Sequence, residues 1–130
     1  MANVVFFSFT EPDRNEVLVI KGRAVNPHYY NLNFRVKDLL KRWATDDTRV
    51  IRQAISKAMY GTSRTIVFVG EKTYLSRWVR EEVKMTLEYL KPVYAIRLNH
   101  TYVRIPQILE DRNIHLYSWS EERLQELATR

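Results

Sequence analysis

The run TIVFVG at residues 65–70 constrains the fold more than any other stretch. Apolar residues 66–69 follow Thr65 and stop at Gly70, the pattern of a strand buried on both faces. A helical pattern follows over roughly residues 76–90, SRWVREEVKMTLEYL, and then PVYAIRL reads as another strand opening after Pro92. Strand, helix and strand with no room for a hairpin make a βαβ unit, whose two strands run parallel.

The flanking segments extend this pattern. VVFFSF, residues 4–9, reads as a buried strand closed by the turn-prone TEPDRN. Residues 14–24 carry VLVI between polar flanks and suit either a helix or an extended segment. NPHYYNLNF, residues 26–34, suits a loop or an edge strand. In TDDTRVIRQAISKAMYG, Asp46 and Asp47 form a helix cap, Val50, Ile51, Ala54, Ile55, Ala58 and Met59 fall on one face, and Gly61 ends the helix. NIHLYSW, residues 113–119, is expected to be a last strand, and SEERLQELA a final helix capped by Ser120. The expected class is therefore α/β, a flavodoxin-like three-layer domain with a mostly parallel sheet of about four or five strands. At 130 residues the chain is expected to form one domain, 1–130.

Composition narrows the chemistry. The chain has no cysteine, and His28, His100 and His115 lack metal-ligand spacing, so carboxylates, hydroxyls and amides must carry any reaction and no metal is expected. The net charge of +6 invites polyanions. Its Lys and Arg residues are spread along the chain, and the densest run, Arg35, Lys37, Lys41 and Arg42, is mixed with apolar residues and Asp38, which argues against nucleic acid as the main partner. No apolar run is long enough to span a bilayer and the N-terminus reads unlike a leader, so a cytoplasmic location off the membrane is expected. Tyr29, Tyr30, Trp43, Tyr117 and Trp119 are expected to be core or interface aromatics.

The helix over residues 76–90 places two adjacent glutamates differently. At 100° per residue, Val79, Val83, Leu87 and Leu90 form the stripe that should pack on the sheet. Glu81 falls with Arg77, Arg80, Lys84 and Glu88 on the far side, where a solvated ion-pair face is expected. Glu82 joins Trp78, Met85 and Tyr89 in a stripe between, close to the apolar side. A carboxylate there needs a hydrogen-bonded partner or a function. It either locks the helix by accepting bonds from its surroundings or does chemistry, and both readings stand at this point.

The strand VVFFSF (Val5–Phe9), the strand ending at Gly70 (Ile66–Gly70), the W-V-x-x-E spacing of Trp78, Val79 and Glu82 and the ending HLYSW together resemble the TIR domains, and most closely the TIR-like signal-producing subunit of Thoeris antiphage defence. The resemblance spans about residues 3–119. It implies a TIR-like fold and cleavage of the nicotinamide–ribose bond of NAD, with Glu82 catalytic, Trp78 beside the nicotinamide or ribose, and Ser8, Phe7 and Phe9 lining the cleft. It implies NAD as substrate with no cofactor, self-association through TIR–TIR contacts, and a (cyclic) ADP-ribose-type product read by a separate effector protein in bacterial defence. The alternative is a TIR-like assembly module without chemistry. In the stretch YYNLNFRVKDLL, Asn31 and Asp38 match only loosely the acidic and hydroxyl residues usual after the family's second strand. No phosphate-cradling glycine loop is present.

Overall fold

The structure, a computed structural model, describes residues 3–26, 32–39, 44–98 and 102–130. Five strands, β1 (Val4–Ser8), β2 (Arg35–Asp38), β3 (Arg64–Val69), β4 (Val93–Arg97) and β5 (Leu116–Tyr117), form one sheet in the order β2-β1-β3-β4-β5. Every adjacent pair runs parallel. The helices are α1 (Arg14–Val25), α2 (Thr48–Met59), α3 (Arg77–Glu88), α4 (Gln107–Asp111) and α5 (Glu121–Thr129).

Strand alternation sorts the core into two layers. Val5 and Phe7 of β1, with Ile66 and Phe68 of β3, point to the face covered by α1 and α5, where Val17, Ile20, Leu124 and Leu127 close over them. Val67, Val69 and Ala95 point to the other face and pack on Val79 and Val83 of α3 and Leu109 of α4. Phe6 joins Ile51, Ile55 and Met59 of α2 on that same face. β3 is buried along its whole length, which is why its sequence reads as a continuous apolar run.

The ambiguous VLVI segment is helical, because Val17, Ile20 and Ala24 share the face that meets the sheet. β2 begins one residue beyond the segment expected to hold a loop or edge strand. As an edge strand of alternating exposure its RVKD sequence reads as polar. α4, a single turn and a half, carries no helical signal of its own length. Asp47 caps α2 by accepting from the Arg49 amide at 2.9 Å, and Ser120 caps α5 by accepting from the Arg123 amide at 3.0 Å. Two expected core positions are corrected. Val50 is exposed on α2, and Leu90 is 93% exposed, since α3 ends at Glu88 and Leu90 takes a left-handed φ of 60° in the turn toward Pro92. Tyr117 and Trp119 pack half-buried against the α1/α5 core. His28, Tyr29, Tyr30, Asn31, Lys41, Arg42, Trp43 and His100 lie outside the described residues.

Candidate active site

In this topology the chain leaves β1 toward one face, through α1, and leaves β3 toward the other, through α3. The carboxyl ends of β1 and β3 therefore flank the switch point at which α/β sheets bind ligands. Ser8 is the last residue of β1 and pairs in register with Val67 of β3. Alternation turns its side chain away from the Phe7 face and toward α3.

Glu82 meets it there. The Ser8 hydroxyl donates to Glu82 Oε1 at 2.7 Å, and both residues have no exposed surface. One turn further along α3, the Thr86 hydroxyl donates to the Glu82 carbonyl at 2.7 Å and shares a 2.6 Å hydrogen bond with the Thr65 hydroxyl of β3. Ser76 caps the start of the helix, accepting from the Val79 amide at 3.1 Å. The turn that carries Glu82 is thus held at its cap, at its carboxylate and at its own carbonyl. Thr65 and Thr86 were not singled out from sequence, because a buried hydroxyl pair between strand and helix leaves no local spacing signal.

Trp78, one turn before Glu82, packs half-buried against the Phe6, Ile51 and Met85 cluster. It also lines an open cavity of about 460 Å³ with Ala44, Thr45, Asp46 and Arg77. Glu82 does not line that cavity among the described residues. Phe7 and Phe9 are not brought to Glu82. Both are buried on the α1/α5 face, where Phe7 makes edge-to-face contacts with Phe68 at 4.6 Å and Phe34 at 6.0 Å. The physical reason is the two-residue period of the strand, which sends Ser8 to one face and its neighbours to the other.

Glu81 departs from its expected place on a solvated face. It is 5% exposed and its Oε1 lies 2.9 Å from the Arg52 guanidinium of α2, with Lys84 at 3.8 Å. Arg77 instead donates to the Thr48 hydroxyl. The packing of α2 against α3 covers this flank, and the hydrogen bond that Arg52 donates to Glu81 is the main reason Arg52 holds its proton more tightly than an ordinary arginine.

Two further carboxylates stand near the carboxyl edge of the sheet. Asp38 ends β2, and its buried Oδ2 lies 2.8 Å from Lys21 Nζ of α1. That oxygen makes no well-aligned hydrogen bond among the described residues, so the ammonium charge is its compensation. Asp13 lies against Gly70, where a Cβ would overlap its carboxylate. Thr10 donates to Asp13 Oδ2 at 2.9 Å, and Thr73 accepts from the Gly70 amide at 2.8 Å. Burial pushes the Asp13 carboxyl up from its ordinary value, with Glu71 adding to the shift and hydrogen bonds from Thr10 and Thr73 opposing it. Among the described residues no three His, Cys, Asp or Glu side chains are grouped to hold a metal ion.

The chain is similar to several known proteins. A curated relative from Bacillus cereus (strain MSX-D12), named "Putative cyclic ADP-D-ribose synthase ThsB1", is 24% identical, with 97% of this chain and 76% of the relative covered. The crystal structure of the TIR domain of the Toll-related receptor TRR-2 from Hydra magnipapillata superposes with a TM-score of 0.59 at 16% identity, over 97% of this chain and 91% of that one. The TIR domains of the activated Roq1 resistosome superpose with a TM-score of 0.48 at 14% identity, over 97% of this chain and 69% of that one. The family described as Thoeris protein ThsB, TIR-like domain, matches residues 6–102, which is most of the chain. With the five-stranded parallel sheet in flavodoxin-like order, that match places the chain in the ThsB TIR-like domain family.

Proposed function

We propose that the chain cleaves the nicotinamide–ribose bond of NAD, with Glu82 as its catalytic carboxylate. The observation that carries this reading is the Ser8–Glu82 hydrogen bond, which fixes a buried carboxylate beside the carboxyl end of β1. Membership of the ThsB TIR-like domain family and similarity to the relative named "Putative cyclic ADP-D-ribose synthase ThsB1" support it.

The chemistry suits one carboxylate. Nicotinamide in NAD is cationic on its ring nitrogen, so the C1′–N bond breaks with its electron pair going to that nitrogen and no acid is required. The ribose is left with oxocarbenium character, which a fixed negative charge stabilises. Water attacking C1′ and releasing a proton gives ADP-ribose. A nucleophilic atom of the same ADP-ribosyl group attacking C1′ gives a cyclised product. The Ser8 hydroxyl holds the carboxylate in one orientation, and Trp78, one turn before Glu82, lines the open cavity. In the same proposal the chain self-associates through TIR–TIR contacts and works in the cytoplasm. Its product is read by a separate effector protein in antiphage defence.

The test is incubation of concentrated protein with NAD, products being resolved by mass. Parent and Glu122→Gln, an exposed carboxylate on α5, are expected to release nicotinamide, and Glu82→Gln to lose at least 100-fold in rate, on the order of a major electrostatic contribution. Equal turnover by parent and Glu82→Gln overturns the assignment.

One observation favours a second reading. Glu82 has no exposed surface, as suits a residue that locks α3 to β1. On that reading the chain is a TIR-like assembly module without chemistry. Absence of turnover at any protein concentration, together with an unfolding midpoint lowered in Glu82→Gln, would select it.

A further inference from the structure

A second cavity lies on the opposite side of α3 from Glu82. We propose that this groove, between α3, α4 and the turn at residues 73–75, binds a nucleotide-type organic phosphate, independently of the Glu82 site. Its volume of about 770 Å³ lies within the range of small-molecule sites, roughly 300–1,000 Å³.

Arg77, Arg80 and Lys84 line one wall at spacings of three and four residues, which puts them on a single face of the helix. The groove also contains two acids, Glu81 on the same wall and Asp111 on α4, and only Glu81 is offset by a cation from outside the groove. Glu81 is paired with Arg52 at 2.9 Å, and Asp111 accepts from the Gln107 amide at 2.8 Å. The Arg80 side chain forms no ion pair or hydrogen bond among the described residues, and the nearest acid to Lys84 is Glu81 at 3.8 Å. With Glu81 offset by Arg52, three cations of the groove face the one remaining acid, Asp111, and the Arg80 guanidinium keeps its donors for phosphate oxygens.

The other wall has a different character. Tyr74 and Leu75 are exposed, Ile108 is half-exposed, and the Arg104 guanidinium lies 5.0 Å from the centre of the Tyr74 ring. An aromatic and aliphatic surface facing a row of cations fits a ligand with a flat ring at one end and phosphates at the other. A concave groove of this size also suits one compact ligand better than a polyanion, which needs an extended basic surface.

The experiment is an amide-resolved NMR titration of the whole chain with ADP, inorganic pyrophosphate and adenosine. ADP is expected to shift residues 73–84 and 107–111 saturably. Pyrophosphate should move only the α3 residues, and more weakly, and adenosine alone should not saturate. Arg80→Ala and Lys84→Ala should each weaken ADP binding by about tenfold, the loss of one charge-assisted bond. Lys57→Ala, an exposed lysine on α2, should not. The amide spectra report whether each variant is folded. Glu82→Gln should bind ADP in the groove as the parent does, so the inference stands or falls apart from the NAD reaction. Shifts confined to residues 44–46 and 78, an absence of saturation, or equal weakening by Lys57→Ala and Arg80→Ala would each overturn it.

Discussion

Ser8 and Glu82, separated by 74 positions in sequence, share a fully buried 2.7 Å hydrogen bond that joins the end of β1 to the middle of α3. Removing the hydroxyl leaves a buried carboxylate with one fewer donor. Ser8→Ala is expected to lower stability by about 1.5–3 kcal/mol, the range for a hydrogen bond to a charged group. In Glu82→Gln the same Ser8→Ala change should cost less, since the acceptor is then neutral. Urea unfolding of the four proteins of this cycle measures the difference, and a coupling energy near zero would show that the bond contributes nothing.

That pair also marks what could be read from sequence and what could not. The β3-α3-β4 unit was legible because a strand buried on both faces is written as an uninterrupted apolar run. Glu82 was visible as a carboxylate too near the apolar stripe of its helix. Its partner was visible only as a residue in the first strand, because which of Phe7, Ser8 and Phe9 faces α3 depends on which face of the sheet that helix covers. β2 was hidden, since an edge strand of Arg, Val, Lys and Asp has no apolar period. Glu81 was misplaced because a helical wheel marks the side away from the sheet as water, whereas α2 packs over part of that side.

The Thr65–Thr86 pair sets the height of the Glu82 turn above the sheet. Thr86→Val keeps the shape and removes the donor to the Glu82 carbonyl and the partner of Thr65, so a loss of about 1–2 kcal/mol is expected. The double variant Thr65→Val/Thr86→Val removes both hydroxyls and should recover part of that loss, since no buried hydroxyl is then left alone. Chemical denaturation tests this, and a double variant less stable than the sum of the singles would contradict it.

Arg52 of α2 bridges to the neighbouring helix, contacting Glu81 and Glu88 of α3. Glu81 is nearly buried, so removing the guanidinium leaves its charge with only the more distant Lys84, at 3.8 Å. Arg52→Met should cost on the order of 3 kcal/mol, whereas Glu88→Gln, at an exposed end of the bridge, should cost less than about 1 kcal/mol. Thermal unfolding at two salt concentrations checks both. Equal effects would mean that the burial of Glu81 carries no energetic weight.

Asp13 gives a pH dependence whose sign follows from its environment. Burial raises its folded carboxyl above the ordinary 3.8, so the folded state takes up the proton more readily than the unfolded chain does. The resulting stabilisation is fully present below pH 3.8 and is lost as the pH rises through the folded value. Asp13→Asn removes the charge but keeps an oxygen acceptor for the Thr10 hydroxyl. Relative to the parent, the variant should gain stability as the pH climbs from about 3.5 toward neutrality, and the gain should level off once the carboxyl is fully ionised. Gly70→Ala should act in the opposite direction at every pH, because its methyl group displaces the Asp13 carboxylate and breaks the Thr10 bond. Pairing Gly70→Ala with Asp13→Ala should relieve most of that clash. Unfolding free energies measured across the pH range decide the point. A stability difference between Asp13→Asn and the parent that does not change with pH would show that the carboxyl titrates alike in the folded and unfolded chain.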